Sequence, residues 1–386
     1  MGPGAAKLSW EKPLKKYASQ CKYIAALKLG LAASALLYRV LALSALSFVV
    51  QICPIPEEAR VQERKCLRLL VPGPGNWIPI AAIHNLDVLF GMPTNFPSLA
   101  IWGLAAQSRM ALTDLDDCWQ HKLMISRALM SDDAPLQHRW RDWYYNSIAF
   151  TVTEARDQLV GLGLCRSTPS FYADLGSSRK CLPIGASQSG SLQSAIYKLL
   201  RKKRVSIDLN SLLRRRLERW SNRGMLTITV GRATGRAERM VQQLQGNIPP
   251  CVTAALVRSR LNGWCIARRF QQGRGKCWLS AECSGEDSIE HYACCDWSWH
   301  MAKRRLKVEQ SPKNIGRFLM LETSVQDDPA MLALNLYAVY NAVNHFRSSG
   351  QRGRENAAYH RIGALYTQAA LLHTGLARKM RSLWRQ

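Results

Sequence analysis

The stretch IAALKLGLAASALLYRVLALSALSFVVQIC, residues 24–53, decides the fold, because it is the most apolar run in the chain and long enough to span a hydrocarbon core of about 30 Å. Lys28 and Arg39 cut across a membrane reading. A charge at mid-span costs at least about 2.5 kcal/mol, and the charge-free run Val40–Cys53 falls short of the roughly 20 residues a span needs. The segment therefore reads as a buried helix of a soluble protein, with a membrane anchor over residues 31–53 as the alternative. Arg39 discriminates: it packs in or beside a core in the first case and faces lipid or water in the second.

Outward from this segment, Pro54 and Pro56 stop the helix, and the charged EEARVQERKCLRLL at 57–70 predicts another. Alternating Pro and Gly in VPGPGNW, 71–77, forbid helix and strand and force a fixed turn, either a hinge or a packing corner. Helical patterns follow at 80–90 and 97–112, then, after the acidic DLDD at 114–117, at 118–130 and 138–163. The Ser/Gly/Pro-rich 164–198 reads as a linker.

Beyond it, residues 199–240 carry twelve Lys or Arg against three acids, a local charge of +9. Leu209, Leu212, Leu213, Leu217 and Trp220 recur at helical spacing, so one face packs while the arginines lie outside. Residues 331–346 and 357–386 read as two amphipathic helices joined by SSGQRGRE. No strand alternation or repeat stands out. The expected class is mainly α: a helical region at 1–163, the linker at 164–198, a basic helical segment at 199–248, a Cys/His region at 249–300 and C-terminal helices at 301–386.

At 386 residues the chain is long enough for two or three domains of about 150 residues each. Its 47% hydrophobic and 21% charged content excludes a chain disordered throughout. Fifty-three Lys and Arg against 27 Asp and Glu give +26, a balance suited to a polyanionic partner, nucleic acid or an acidic membrane face. Twelve cysteines are too sparse for a disulfide scaffold. The N-terminus lacks a secretory h-region, and Ala6 stands where a myristoylation signal needs Ser or Thr, so the expected location is intracellular, nuclear or cytoplasmic.

The strongest chemical signal is CWLSAECSGEDSIEHYACC at 277–295. Cys277, Cys283, His291 and either Cys294 or Cys295 supply three soft thiolates and an imidazole, a set that suits tetrahedral zinc with no position left open for catalysis. The competing reading is a Cys-rich segment with ordinary buried thiols, since Cys-x5-Cys is wider than the usual spacing; Cys265 and His300 are substitute ligands. A phosphate-contacting surface is expected from Arg201, Lys202, Lys203, Arg204, Arg214, Arg215, Arg216 and Arg219. Arg268 and Arg269 continue it, as do Lys303, Arg304 and Arg305, with Trp220, Trp264, Phe270, Trp297 and Trp299 interleaved for base stacking. The bland alternative is a solvated helix face. Polymerase chemistry needs paired metal-binding aspartates after an aromatic residue; Tyr172-Ala173-Asp174-Leu175 lacks the second Asp and Met130-Ser131-Asp132-Asp133 lacks the aromatic. Nucleophile-elbow, P-loop, dinucleotide and zinc-protease motifs are absent, and the chain reads as a binding protein, not an enzyme.

Two groups of strings carry a family resemblance. WEKPLKKY (10–17), LAASALLYRVLALSALSFVVQICPIP (31–56), LRLLVPGPGNWI (67–78) and FGMPTNFPSLA (90–100) resemble the region after the polymerase palm in reverse-transcriptase-like reading frames of non-LTR retroelements, as in dinoflagellate algae. PPCVTAALVRSRLNGWCIARRFQ (249–271), EDSIEHYACC (286–295) and LALNLYAVYNAVNHFR (332–347) resemble the C-terminal zinc-knuckle region of the same proteins. The resemblance implies a thumb-like helical region and a nucleic-acid-binding knuckle with structural zinc on Cys277, Cys283, His291 and Cys295. The family has a tighter first Cys pair, and Cys294 beside Cys295 leaves the fourth ligand ambiguous. The fingers and palm that carry the catalytic aspartates have no counterpart, so with Met1 as the true start the chain is a remnant without polymerase activity, binding RNA or DNA.

Overall fold

A computed structural model describes residues 5–113, 193–194, 197–198, 200–201, 207–270, 275–309, 312–322 and 327–385. The expected helices at 118–130 and 138–163, most of the 164–198 linker and both aspartate motifs lie outside the described residues. What is described is mainly α, with no strand and a single isolated bridge, Lys276 to Glu286. The chain divides into two compact units, neither continuous in sequence.

The first unit comprises residues 1–28, 36–70 and 96–206. Helix α1 (Ala5–Ala26) packs against α4 (Glu57–Leu70), and α3 (Val49–Ile52) against α7 (Leu99–Thr113). The Trp10 indole donates to the Pro54 carbonyl at 3.0 Å, and the Tyr17 and Tyr38 hydroxyls meet at 3.1 Å in the core. Glu63 of α4 accepts the Leu99 N–H at 2.6 Å, capping α7 from a neighbouring helix and satisfying a donor the helix start leaves free. A Cβ on Gly103 would fall 2.5 Å from Ile55 and 2.6 Å from Val50, which is why α7 can lie so close to that strand of chain.

The deciding stretch is not one helix. Helix α1 stops at Ala26; Lys28 and Gly30 then take φ of 50° and 82°, the left-handed region that ends a helix. Helix α2 (Leu31–Leu37) runs into a π turn at Tyr38–Ala42 and a 3-10 turn at Leu43–Leu46 before α3. No described helix is long and apolar enough to cross a membrane. Arg39 is exposed rather than packed on a core, contrary to the expectation for a buried segment.

The second unit comprises residues 29–35, 71–95 and 207–386. Small helices α5 (Ile80–Ile83) and α6 (Leu86–Phe90) precede the hairpin of α8 (Leu209–Ser221) and α9 (Val230–Leu244), followed by α10 (Pro250–Arg260), α11 (Ile289–Cys294), α12 (Asp296–Leu306) and α13 (Ile315–Phe318). The centre is α14 (Pro329–Ser349), buried along most of its length against α9, α10, α12 and α15 (Glu355–Leu371). Pro329 at its first turn and left-handed Gly350 at its end are the residues those positions favour. The expected helix at 357–386 is two, α15 and α16 (Thr374–Arg385). His373 between them accepts the Leu376 N–H on Nδ1 and donates from Nε2 to the Gly246 carbonyl, so it starts a new helix rather than continuing the old one.

The Pro/Gly turn at 71–77 is a packing corner. Arg258 of α10 donates to the Pro72 carbonyl and lies 4.9 Å over the Trp77 ring, and a Cβ on Gly263 would fall 2.8 Å from that ring. PGPGNW and NGWC, far apart in sequence, thus pack on each other.

Candidate metal centre and basic surface

Cys277 lies on the arm of a minimal hairpin, its N–H bonded to the Gly285 carbonyl at 2.8 Å while the Asp287 N–H reaches Gly275 at 2.7 Å. Cys283 sits in the loop that the hairpin closes. Ser288 caps α11 by accepting the His291 N–H at 3.1 Å, fixing the backbone of the third candidate ligand. Cys295 is at once the end of α11 and the start of α12, in extended conformation. These elements bring one ligand atom from each of Cys277, Cys283, His291 and Cys295 within 4.8 Å of one another, a group that could hold a metal ion, with Cys283 Sγ and His291 Nε2 3.3 Å apart.

The geometry fits a tetrahedral ion: metal–sulfur bonds near 2.3 Å put ligand atoms roughly 3.8 Å apart. Cys294 is excluded from the set, since it is exposed and its Sγ lies near the Lys313 carbonyl. Gly285 is required, because a Cβ there would lie about 2.0 Å from the His291 ring. His300 stacks on Tyr359 instead of joining the ligands. Two of the thiols are poor acids here: hydrogen bonding with Cys277, then burial, pushes Cys295 up to about 12, and burial raises Cys283. A dication held among them would reverse that preference.

The wide first Cys pair is held from outside. Arg352, in the loop after α14, donates to the carbonyls of Cys277, Ser280 and Cys283 at 2.7–2.8 Å and so fills the five-residue loop. Arg347 grips Asp287 with two bonds at 2.7 and 2.8 Å, and Asp287 also accepts from the Tyr292 hydroxyl and the Ala267 N–H. Gly353 allows the close approach, for a Cβ there would fall 2.5 Å from the Leu279 carbonyl. In the sequence SSGQRGRE reads only as the loop that joins two helices, and nothing in its composition marks Arg352 as a partner of the Cys277–Cys283 loop.

The basic residues divide. On α8, Arg214, Arg215 and Arg219 are exposed, Arg214 paired with Glu218 at 2.8 Å. Arg216 is turned inward, contrary to its place in the expected surface: it donates to the Ser259 and Arg260 carbonyls at 2.6 and 2.9 Å and lies 4.3 Å over Trp220. Lys303, Arg304 and Arg305 are exposed on α12, while Arg268 and Arg269 belong to the 3-10 turn Ala267–Phe270 and their own side chains are outside the description. Arg201 is half-buried on a short helical stretch; Lys202, Lys203 and Arg204 lie outside the described residues. Of the expected stacking residues, Trp220, Trp264 and Trp299 are core, leaving Phe270 exposed and Trp297 half-buried.

No family model matches the chain, and no curated protein or solved structure matches it either.

Proposed function

We propose that this chain is an intracellular, non-catalytic nucleic-acid-binding protein, a retroelement reverse-transcriptase remnant in which a structural zinc ion holds the Cys277/Cys283/His291/Cys295 centre. The basic helices contact RNA or DNA backbone. The observation that carries the reading is the convergence of four zinc-type ligands directly at the start of α12, whose Lys303, Arg304 and Arg305 are exposed. Zinc would supply the fold energy of a closed four-ligand site and no open coordination position. The chain's own part is to orient the ligands, through Ser288 and Arg352, and to present cations.

Protein purified under reducing conditions should carry about one zinc per chain by elemental analysis. It should also bind nucleic acid with an affinity that falls steeply as salt rises. Metal-free, folded protein would remove the zinc centre; salt-independent or absent binding would remove the nucleic-acid reading.

A second reading has one observation in its favour. Leu36, Val40 and Phe48 are 54%, 55% and 74% exposed and Arg39 is exposed with them, an apolar patch with a cation in the segment for which a membrane anchor is the alternative reading. Such a patch suits peripheral attachment to anionic lipid. Flotation with phosphatidylserine vesicles, lost in Phe48→Ser, would favour it.

A further inference from the structure

We propose that Trp297, Tyr359 and His300 form a stacking platform for unpaired bases, so that the nucleic acid taken by this surface is single-stranded; the inference rests on the nucleic-acid reading above. Trp297 and Tyr359 lie with ring centroids 5.0 Å apart at 27°, and His300 and Tyr359 at 4.6 Å and 26°. Among the described residues the other ring pairs are tilted or edge-on, as in the core pair Trp299 and Phe318 at 66°. None of the three platform rings is sealed in the core as Trp220, Trp264 and Trp299 are: Trp297 and Tyr359 are half-buried and His300 is exposed.

Charge is laid out beside the rings. Trp297, His300 and Arg304 follow one another at i, i+3 and i+7 along α12, with Lys303 a turn beyond His300, and both cations are exposed. The rise from Trp297 to Arg304 is about 10 Å, roughly three stacked nucleotide steps. A base can therefore lie on the rings while its neighbours' phosphates reach the cations. A duplex keeps its bases stacked on each other and can use only the charges. Cys295 starts α12 two residues before Trp297, so the candidate metal centre fixes the platform's end of the helix.

The test compares fluorescence-anisotropy binding of an oligouridylate and of an RNA duplex of similar length, at one ionic strength, to the zinc-loaded full chain. The single strand should bind more tightly, and Trp297→Leu and His300→Ala should each weaken it by at least about fivefold while leaving duplex affinity unchanged. His300 is exposed, so its variant does not depend on repacking, and circular dichroism verifies that both fold. Equal binding of strand and duplex by the unmodified protein, or equal losses on both in the variants, overturns the platform and leaves the backbone-binding reading standing. Absence of binding to either RNA overturns that reading and the platform with it.

Discussion

Arg352 illustrates how one side chain can order a wide spacing between two candidate ligands. The loop between Cys277 and Cys283 has no helix or sheet to order its carbonyls, and a single guanidinium takes three of them. Outer partners of this kind typically change metal affinity 10- to 100-fold when removed. Arg352→Gln should accordingly weaken zinc retention by about that factor, read by competition with a chromophoric chelator, while far-UV circular dichroism of the zinc-loaded protein stays unchanged. Glu63 lies buried in α4. Burial pushes its carboxyl up to about 7, opposed by the Leu99 N–H bond and by Arg64 and Arg60. The folded form thus holds the proton more tightly than the unfolded chain, whose carboxyl has the ordinary value of 4.5. This group's stabilisation is full below about 4.5 and is lost as pH rises through about 7, on the order of 3 kcal/mol. In the difference between wild-type and Glu63→Gln denaturation curves, relative stability of the wild type should decline over that window; a flat difference would show that Glu63 does not titrate there.

At the scale of elements, periodicity found the helices whose apolar stripe is regular. The patterns at 57–70, 80–90 and 97–112 correspond to α4, to α5 with α6, and to α7. It failed at 24–53 and 357–386, where composition stays apolar or amphipathic across a break made by local conformation: left-handed Lys28 and Gly30 in one case, the His373 cap in the other. The spacing pointed to Cys277, Cys283 and His291 while leaving ordinary buried thiols and the substitutes Cys265 and His300 open, and the choice of Cys295 over Cys294 depended on which side of the α11–α12 junction faces inward. Arg216 and Arg352 were illegible for a related reason, because a charged residue that serves buried carbonyls looks in sequence like one that faces water. The corner between PGPGNW and NGWC gives an element-scale test. Gly263→Ala must push a Cβ into the Trp77 ring and the Arg258 carbonyl, and should cost about 1–3 kcal/mol by denaturant midpoint. Gly246→Ala meets no atom within 4 Å and carries only the strain of φ +74°, about 1–2 kcal/mol. If the two variants shift the midpoint equally, the Trp77 contact contributes no more than backbone strain.

For the whole molecule the dominant quantity is the charge of +26, which repels itself in the folded state and is offset when a polyanion binds. Among the described residues Arg260 and Arg317 are cations withdrawn from solvent. Arg260 is buried at 1% exposure and donates to the Leu319, Ala237 and Met320 carbonyls; Arg317 is buried in a pair with Asp327. Both are structural and cannot serve a ligand. On α8, by contrast, Arg214, Arg215 and Arg219 are exposed. Arg214→Gln, Arg215→Gln and Arg219→Gln together leave Leu213, Leu217 and Trp220 in their packed positions, and they spare Arg216, whose loss would free two carbonyls and uncover Trp220. Each phosphate contact on a single strand contributes roughly −0.7 to the slope of log affinity against log salt, so the triple variant should flatten that slope by up to about 2. Arg216→Gln alone should instead lower the denaturation midpoint with little change in slope. A triple variant that folds normally and keeps the full slope would reduce α8 to a solvated face, and the footprint would then belong to Lys303, Arg304 and Arg305 on α12.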